Sequence, residues 1–235
     1  MKIGINADKC LSFIRCDLSP QAKRWHPHVE MLPAVTLSRQ TGCGARAIAA
    51  ELVDFLQVHC PVPGQWTVVD KSLVARILDE HKLPKEVAKF MPEDRVSAIQ
   101  DGVEEMLGLH PSVRTLLQQA SETIRRLAKL GNVILIGRAA NIVTREMQNV
   151  FHVRLVAPLE KRVEWVMASN ELDQKAASEF IRKSDLGRKR YLKDHFHADI
   201  DDSLHYDLVI NTGRLPDREA AHLIGEALVR WARTQ

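Results

Sequence analysis

No stretch of this sequence approaches the roughly 20 consecutive apolar residues that a membrane-spanning helix needs. The opening MKIGINADKCLSF also lacks the long hydrophobic core of a secretory signal, so the expected location is cytoplasmic. Cysteine is sparse. Cys10, Cys16, Cys43 and Cys60 fall at irregular spacings without a CxxC, in a chain large enough to fold without disulfide staples, and they read as free thiols. Aromatic residues make up only 5% and do not interleave with the Arg and Lys clusters, as a single-strand nucleic-acid groove would require. The net charge of +3 suits an anionic ligand but is too small to announce a nucleic acid. GxSxG and HExxH are missing too, which leaves hydrolase and metalloprotease readings without footing.

What is present is ordinary globular composition, 45% hydrophobic and 27% charged, over 235 residues. That length suits one domain carrying an insertion. Residues 1–32 show no sustained period and read as an extension of unknown role. Cys10, Cys16, His26 and His28 match no common zinc-finger spacing and are taken as ordinary residues of that arm. From residue 34 the pattern becomes strand, turn, helix: AVTLS, RQTGCG, then ARAIAAELVDFLQ with Ala47, Ile48, Leu52 and Phe55 assigned to one face. Further strands are expected at WTVVD (66–70), GNVILIG (131–137), VFHVRLVA (150–157) and YDLVINT (206–212). Residues 71–128 read as a helical lobe with the helix leading back to the sheet. Residues 173–198 read as a long charged helical segment, and Pro216 opens a terminal helix. Strands alternating with helices imply an α/β sandwich with a mostly parallel, five-stranded sheet, whose ligands gather at the carboxyl ends of the strands.

SRQTGCGARAI sits at such an end. Gly42 and Gly44 before a helix would let backbone N–H groups converge on phosphate oxygens. Against GxxxxGK[ST], Gly44 fits the second glycine, but Arg39 stands at the first glycine, Ala45 at the lysine and Arg46 at the hydroxyl residue. On these residues alone, a phosphate cradle and a plain tight connection remain equal alternatives. Arg138, Arg162, Arg182, Arg188 and Arg190 supply guanidinium groups that pair with phosphate, and Arg138 is directed to the ligand edge by its place after a buried strand.

AVTLSRQTGCGARAIAAEL, VVDKSLV, VILIGRAANIV, VFHVRLVAPLEKRV and RKRYLKDHF…YDLVINTGRLPDREAAHLI resemble, in order and spacing, the cytidylate kinase-like family of nucleoside monophosphate kinases. The resemblance covers roughly residues 34–228 and departs from the family's turn at Cys43 and Ala45. It implies a three-layer P-loop kinase-like sandwich over 33–235, with a helical acceptor-binding lobe and a charged lid. It also implies an ATP-dependent phosphoryl transfer with Mg²⁺ to CMP, dCMP or a similar nucleotide. ATP would be bound by Thr41, Gly42, Cys43, Gly44, Ala45 and Arg46, with Asn211 and Thr212 at the adenine. Asp70, Arg138, Arg162 and Asp185 would serve the acceptor, and Arg188 and Arg190 the transition state.

Arg39, leaving a strand end, is favoured over Arg46 to replace the missing lysine charge. A helix N-cap remains the alternative role for Asp70, and an exposed i,i+4 pairing the alternative for Arg162. No residue is assigned as a metal ligand: His195, His197, Asp199 and Asp201 are set aside because phosphoryl transfer uses Mg²⁺ on oxygen, not imidazole. The partners expected are small nucleotides, with neither nucleic acid nor membrane. The rival readings are a catalytically inactive nucleotide sensor, which Ala45 and Arg46 favour, and a nucleic-acid binder using the basic 182–193 segment.

Overall fold

The computed structural model describes residues 32–60, 63–70 and 113–234. The N-terminal arm, with its cysteines and histidines, and most of the helical lobe expected over 71–128 lie outside the described residues. Five strands form one sheet: β1 (Ala34–Arg39), β2 (Thr67–Val69), β3 (Val133–Ile136), β4 (Val150–Val156) and β5 (Leu208–Asn211). Their order is β2-β3-β1-β4-β5, and every pairing is parallel. Among the described residues the helices are α1 (Ala45–His59), α2 (Val113–Leu130), α3 (Ala140–Val143), α4 (Leu159–Asn170), α5 (Gln174–Phe196) and α6 (Asp217–Ala232). None of these is long and apolar enough to cross a membrane.

Alternation along the strands makes the two layers around the sheet. Val35, Leu37, Ile134, Ile136, Phe151, Val153 and Leu155 bury one face against α1 and α6. Val133, Leu135 and Val150 bury the other against α2 and α3. The buried side of α1 is Ile48, Ala49, Leu52 and Leu56, which differs from the expected face: Ala47 is exposed and Phe55 only half-buried. The stripe is rotated because α6 packs alongside α1 as well as the sheet beneath it. There Gly225 brings its backbone against the Phe55 ring, where an added Cβ would lie 2.2 Å from Cδ1. Cys43 and Cys60 are buried free thiols.

Since β3 and β4 flank β1, the chain leaves β1 at the point where strand order reverses, the usual place for a ligand crevice. Beneath that crevice the second face of β1 and β4 is polar. Thr36 Oγ1 and His152 Nδ1 lie 2.8 Å apart, and the His152 backbone N–H donates to Asp207 Oδ2 at 2.7 Å. One step nearer the crevice, Arg154 Nη1 donates to Ser38 Oγ at 2.9 Å and Nη2 to Asp201 Oδ1 at 3.2 Å. Tyr206 completes the layer, its hydroxyl donating to the Ile200 carbonyl at 2.8 Å.

Burial holds the His152 imidazole below the ordinary histidine range, and the Asp207 carboxylate pulls it only partly back. A histidine whose folded value is depressed contributes stability that is present above its unfolded value and lost as pH falls through the folded one. Unfolding free energy should therefore drop between about pH 7 and pH 5 more steeply in the parent than in His152→Gln, by about 1.4 kcal/mol for each unit of depression. Denaturant melts across that range measure it, and parallel pH curves would remove this role from His152.

Candidate functional site

The turn after β1 is shaped by two left-handed glycines. Gly42 has φ 84° and Gly44 φ 68°, and Gly44 is the N-cap of α1. Neither position has room for a side chain. A Cβ on Gly42 would meet the Arg162 carbonyl at 2.7 Å, and one on Gly44 would meet Asp217 Oδ1 at the same distance. Gln40 ties the start of the turn to the next strand end, accepting from the Ala157 N–H at 3.0 Å. Thr41, Cys43 and Gly44 are buried, while Ala45 begins the helix half-buried. Burial pushes the Cys43 thiol up, so it stays protonated and is no nucleophile. The Thr212 N–H donates to the Val156 carbonyl at 2.8 Å, which sets the end of β5, with Asn211 and Thr212, beside the end of β4.

The hairpin of α4 and α5 folds down onto this turn. Apolar packing of Val163, Val166, Ala177 and Ile181 holds the two helices together, and the Asp173 side chain caps α5 by accepting from the Ala176 N–H at 2.7 Å. At its middle, Asp185 Oδ1 accepts from both the Thr41 N–H and the Thr41 hydroxyl, each at 2.8 Å. Arg188 Nη1 donates to the same oxygen at 3.0 Å and to Thr41 Oγ1 at 2.6 Å. Arg162 Nη1 donates to Asp185 Oδ2 at 2.6 Å, and its Nε donates to the Ala157 carbonyl at 3.0 Å. One carboxylate thus receives backbone, hydroxyl and two guanidinium donors, the set that binds a phosphate group. Asp185 gathers these donors at the head of the turn, and two guanidinium groups against one carboxylate leave the cluster an excess positive charge.

The remaining candidates spread around this centre. Arg162 is only 8% exposed, which excludes the surface i,i+4 pairing considered for it. Arg46 Nε pairs with Asp70 Oδ2 at 2.8 Å, joining the first turn of α1 to the end of β2. Asp70 therefore meets the turn through Arg46. Arg39 ends β1 half-buried. Arg138 follows β3 within three consecutive left-handed residues, Gly137, Arg138 and Ala139, at φ 81°, 58° and 53°. Such a conformation costs each non-glycine residue roughly 1–2 kcal/mol. The bend turns the chain into α3 and holds Arg138 at the carboxyl edge of the sheet. Arg190 is exposed on α5, about 200° around the helix from Arg188.

Sequence reasoning missed Arg154, Ser38 and Tyr206, which support the crevice floor, and Asp217 beside Gly44. Burial raises the Asp217 carboxyl above the usual carboxylate range, with Glu51 adding to it. A signal for Arg154 existed: His152 and Arg154 recur at period two inside an apolar strand, which marks a polar face.

The arrangement tests how a divalent cation could be held. In P-loop enzymes Mg²⁺ sits on the hydroxyl residue of the turn and a strand-end aspartate. Here the hydroxyl position is Arg46, and its guanidinium already holds Asp70. These residues do not fit that mode of metal binding. Among the described residues, no group of three or more His, Cys, Asp or Glu side chains is placed to hold a metal ion, and Asp199 and Asp201 instead face Lys189.

The model of the cytidylate kinase-like family matches residues 34–214. A cytidylate kinase from Methanocaldococcus jannaschii is 22% identical over 169 residues, covering 71% of this chain and 93% of that protein. A uronate isomerase from Corynebacterium glutamicum is 31% identical over 97 residues, but this spans 41% of the chain and only 19% of the isomerase. A solved structure, an uncharacterized protein from Eubacterium ventriosum, superposes with a TM-score of 0.60 at 18% identity, covering 88% of this chain and all of that one, and shows the fold alone.

If Asp185 fills an anion site, Asp185→Ala should cost about 2 kcal/mol of stability by leaving two guanidinium groups without their carboxylate. Millimolar sulfate should then restore melting temperature in the variant and do much less for the parent. Thermal melts in sulfate against chloride at equal ionic strength measure it; identical shifts in both proteins would mean that the four donors do not form an anion site.

Proposed function

Because the chain belongs to the cytidylate kinase-like family, which implies nucleotide use and a divalent metal with it, we propose that it is a nucleoside monophosphate kinase. It transfers the terminal phosphoryl group of ATP, supplied with Mg²⁺ in solution, to a small nucleotide, CMP or dCMP. The observation that carries this reading is the convergence of Arg162 and Arg188 with the Thr41 N–H on one carboxylate-sized anion place. A phosphoryl group arriving there displaces Asp185 and inherits its donors.

In the reaction an oxygen of the acceptor phosphate attacks the terminal phosphorus, the bond to the bridging oxygen breaks, and ADP leaves with that electron pair. No covalent intermediate on the protein is needed, so the protonated Cys43 is no obstacle. What the reaction asks of the protein is alignment and charge neutralisation. Backbone N–H groups of Thr41 to Arg46 face the donor phosphates, with Arg39 supplying the charge of the absent lysine. Asn211 and Thr212 lie where the donor base would pack, and Arg138 meets the acceptor phosphate. Arg188 and Arg162 neutralise the group in transit. Asp185, once released from Thr41, becomes available to the acceptor. The α4–α5 hairpin covers the turn and excludes water, which strengthens each of these charge interactions.

A second reading, a nucleotide-binding regulator without turnover, draws on Ala45 at the lysine position. ADP release measured over a panel of monophosphates separates the two: turnover with one or more acceptors establishes the kinase, and nucleotide binding without turnover establishes the regulator.

Within the kinase reading, Arg138→Ala should lower kcat/KM for the acceptor by about 10- to 100-fold, the loss of one charge-assisted pair. Affinity for ATP should change by less than about threefold. Equal weakening toward both substrates would place Arg138 away from the acceptor.

A further inference from the structure

Arg46 is the second residue of α1, past the left-handed Gly44, and stands where a lysine-bearing phosphate turn carries the hydroxyl that holds a divalent cation. Its Nε reaches Asp70, the residue directly after β2, and that carboxylate is 13% exposed while the arginine is 67% exposed. A strand-end aspartate is the other usual ligand of the same cation, and Asp70 ends β2, one strand removed from β1 across β3. Both protein contributions to a metal site are therefore replaced by an ion pair between them. The pairing uses only Nε. The four N–H groups on Nη1 and Nη2 make no hydrogen bond among the described residues, and they are the donors suited to bridge phosphate oxygens in a fork.

The side chain also cannot swing freely. A surface arginine alone would sample many rotamers, whereas the Nε–carboxylate bond fixes the plane of the guanidinium beside the anion-binding end of α1. The Nη edge of that guanidinium offers donors to an oxygen anion, while a dication would find, in place of the usual hydroxyl, a cationic side chain already bound to the Asp70 carboxylate.

We infer that the Arg46 guanidinium, oriented by Asp70, takes the charge-neutralising place beside the nucleotide phosphates that a divalent cation fills in lysine-bearing turns. The chain consequently binds metal-free nucleotide at least as tightly as the Mg²⁺ complex of the same nucleotide. This rests on the nucleotide-binding reading above. It makes Asp70 a positioning residue for Arg46.

The test is calorimetric binding of ADP and of a non-hydrolysable ATP analogue to the full chain, once in EDTA and once in excess Mg²⁺. The parent should bind no more tightly with Mg²⁺ than without. Arg46→Ala should lose about tenfold or more of the metal-free affinity, one charge-assisted pair's worth. Arg46→Thr should suffer the same loss in EDTA and regain affinity with Mg²⁺, because a hydroxyl then stands at the cation-holding position of the turn. Asp70→Asn should weaken metal-free binding, and Arg46→Lys, which keeps the charge but loses the Nε bond that orients it, should weaken it as well. Tightening of the parent by Mg²⁺ by about tenfold or more, or unchanged metal-free affinity in Arg46→Ala, overturns the inference while leaving nucleotide binding intact. Failure of the parent to bind either nucleotide under both conditions overturns the inference and the nucleotide reading together.

Discussion

The shared carboxylate of Asp185 ties the α4–α5 hairpin to the turn after β1, beside bonds from Arg162 and Arg188 to the Thr41 carbonyl and hydroxyl. Without it, Arg162 and Arg188 would repel each other across a largely buried space, and the Thr41 N–H would face the crevice with no acceptor. A carboxylate held by two guanidinium groups and a backbone donor is strongly localised, yet its bonds are ones that phosphate oxygens form equally well. On the proposed function, the closed arrangement and a ligand-bound one differ in which anion sits at Thr41. The interaction that gives the hairpin its position would then make that position responsive to a phosphorylated ligand.

Support for this junction comes from the sheet below it. In most parallel sheets both faces of the central strands are apolar, but here one face of β1 and β4 carries Thr36, Ser38, His152 and Arg154. Each is paired, with Asp207, Asp201 and Tyr206 reaching in from the segment between α5 and β5. Buried polar groups are tolerable only when satisfied, and a satisfied network fixes geometry more sharply than apolar packing, whose side chains can slide. The strand ends carrying the turn and Arg162 are thereby locked to the far end of α5.

The strand ends were legible in the sequence because a buried parallel strand shows as an apolar run, and the residue after it must point to the carboxyl edge. Arg138 could be placed on that ground alone. Helix facing was less legible: α1 is covered by α6 as well as by the sheet, so the single stripe expected from Ala47 and Phe55 gave way to one through Ala49 and Leu56. Side-chain pairing across more than a hundred residues, such as Thr41 with Asp185 or Arg154 with Ser38, leaves no local trace. Only composition hinted at it, through arginine and histidine placed inside an apolar strand.

On the proposed function, the turn that lacks lysine draws positive charge from other places. A lysine on the helix would reach phosphate as one flexible point charge. In its stead Arg162 and Arg188 approach from the hairpin, Arg39 leaves β1, Arg138 leaves β3 in a strained bend, and Arg46 is braced by Asp70. Planar guanidinium groups anchored at one edge keep their orientation when a ligand arrives, so less ordering entropy is lost on binding. If the chain binds nucleotide as proposed, removing one lysine from such a turn removes little of its capacity to hold a polyphosphate. What changes is where the charge comes from: elements that converge only after the chain has folded, and, in the hairpin, one whose own carboxylate must first give way.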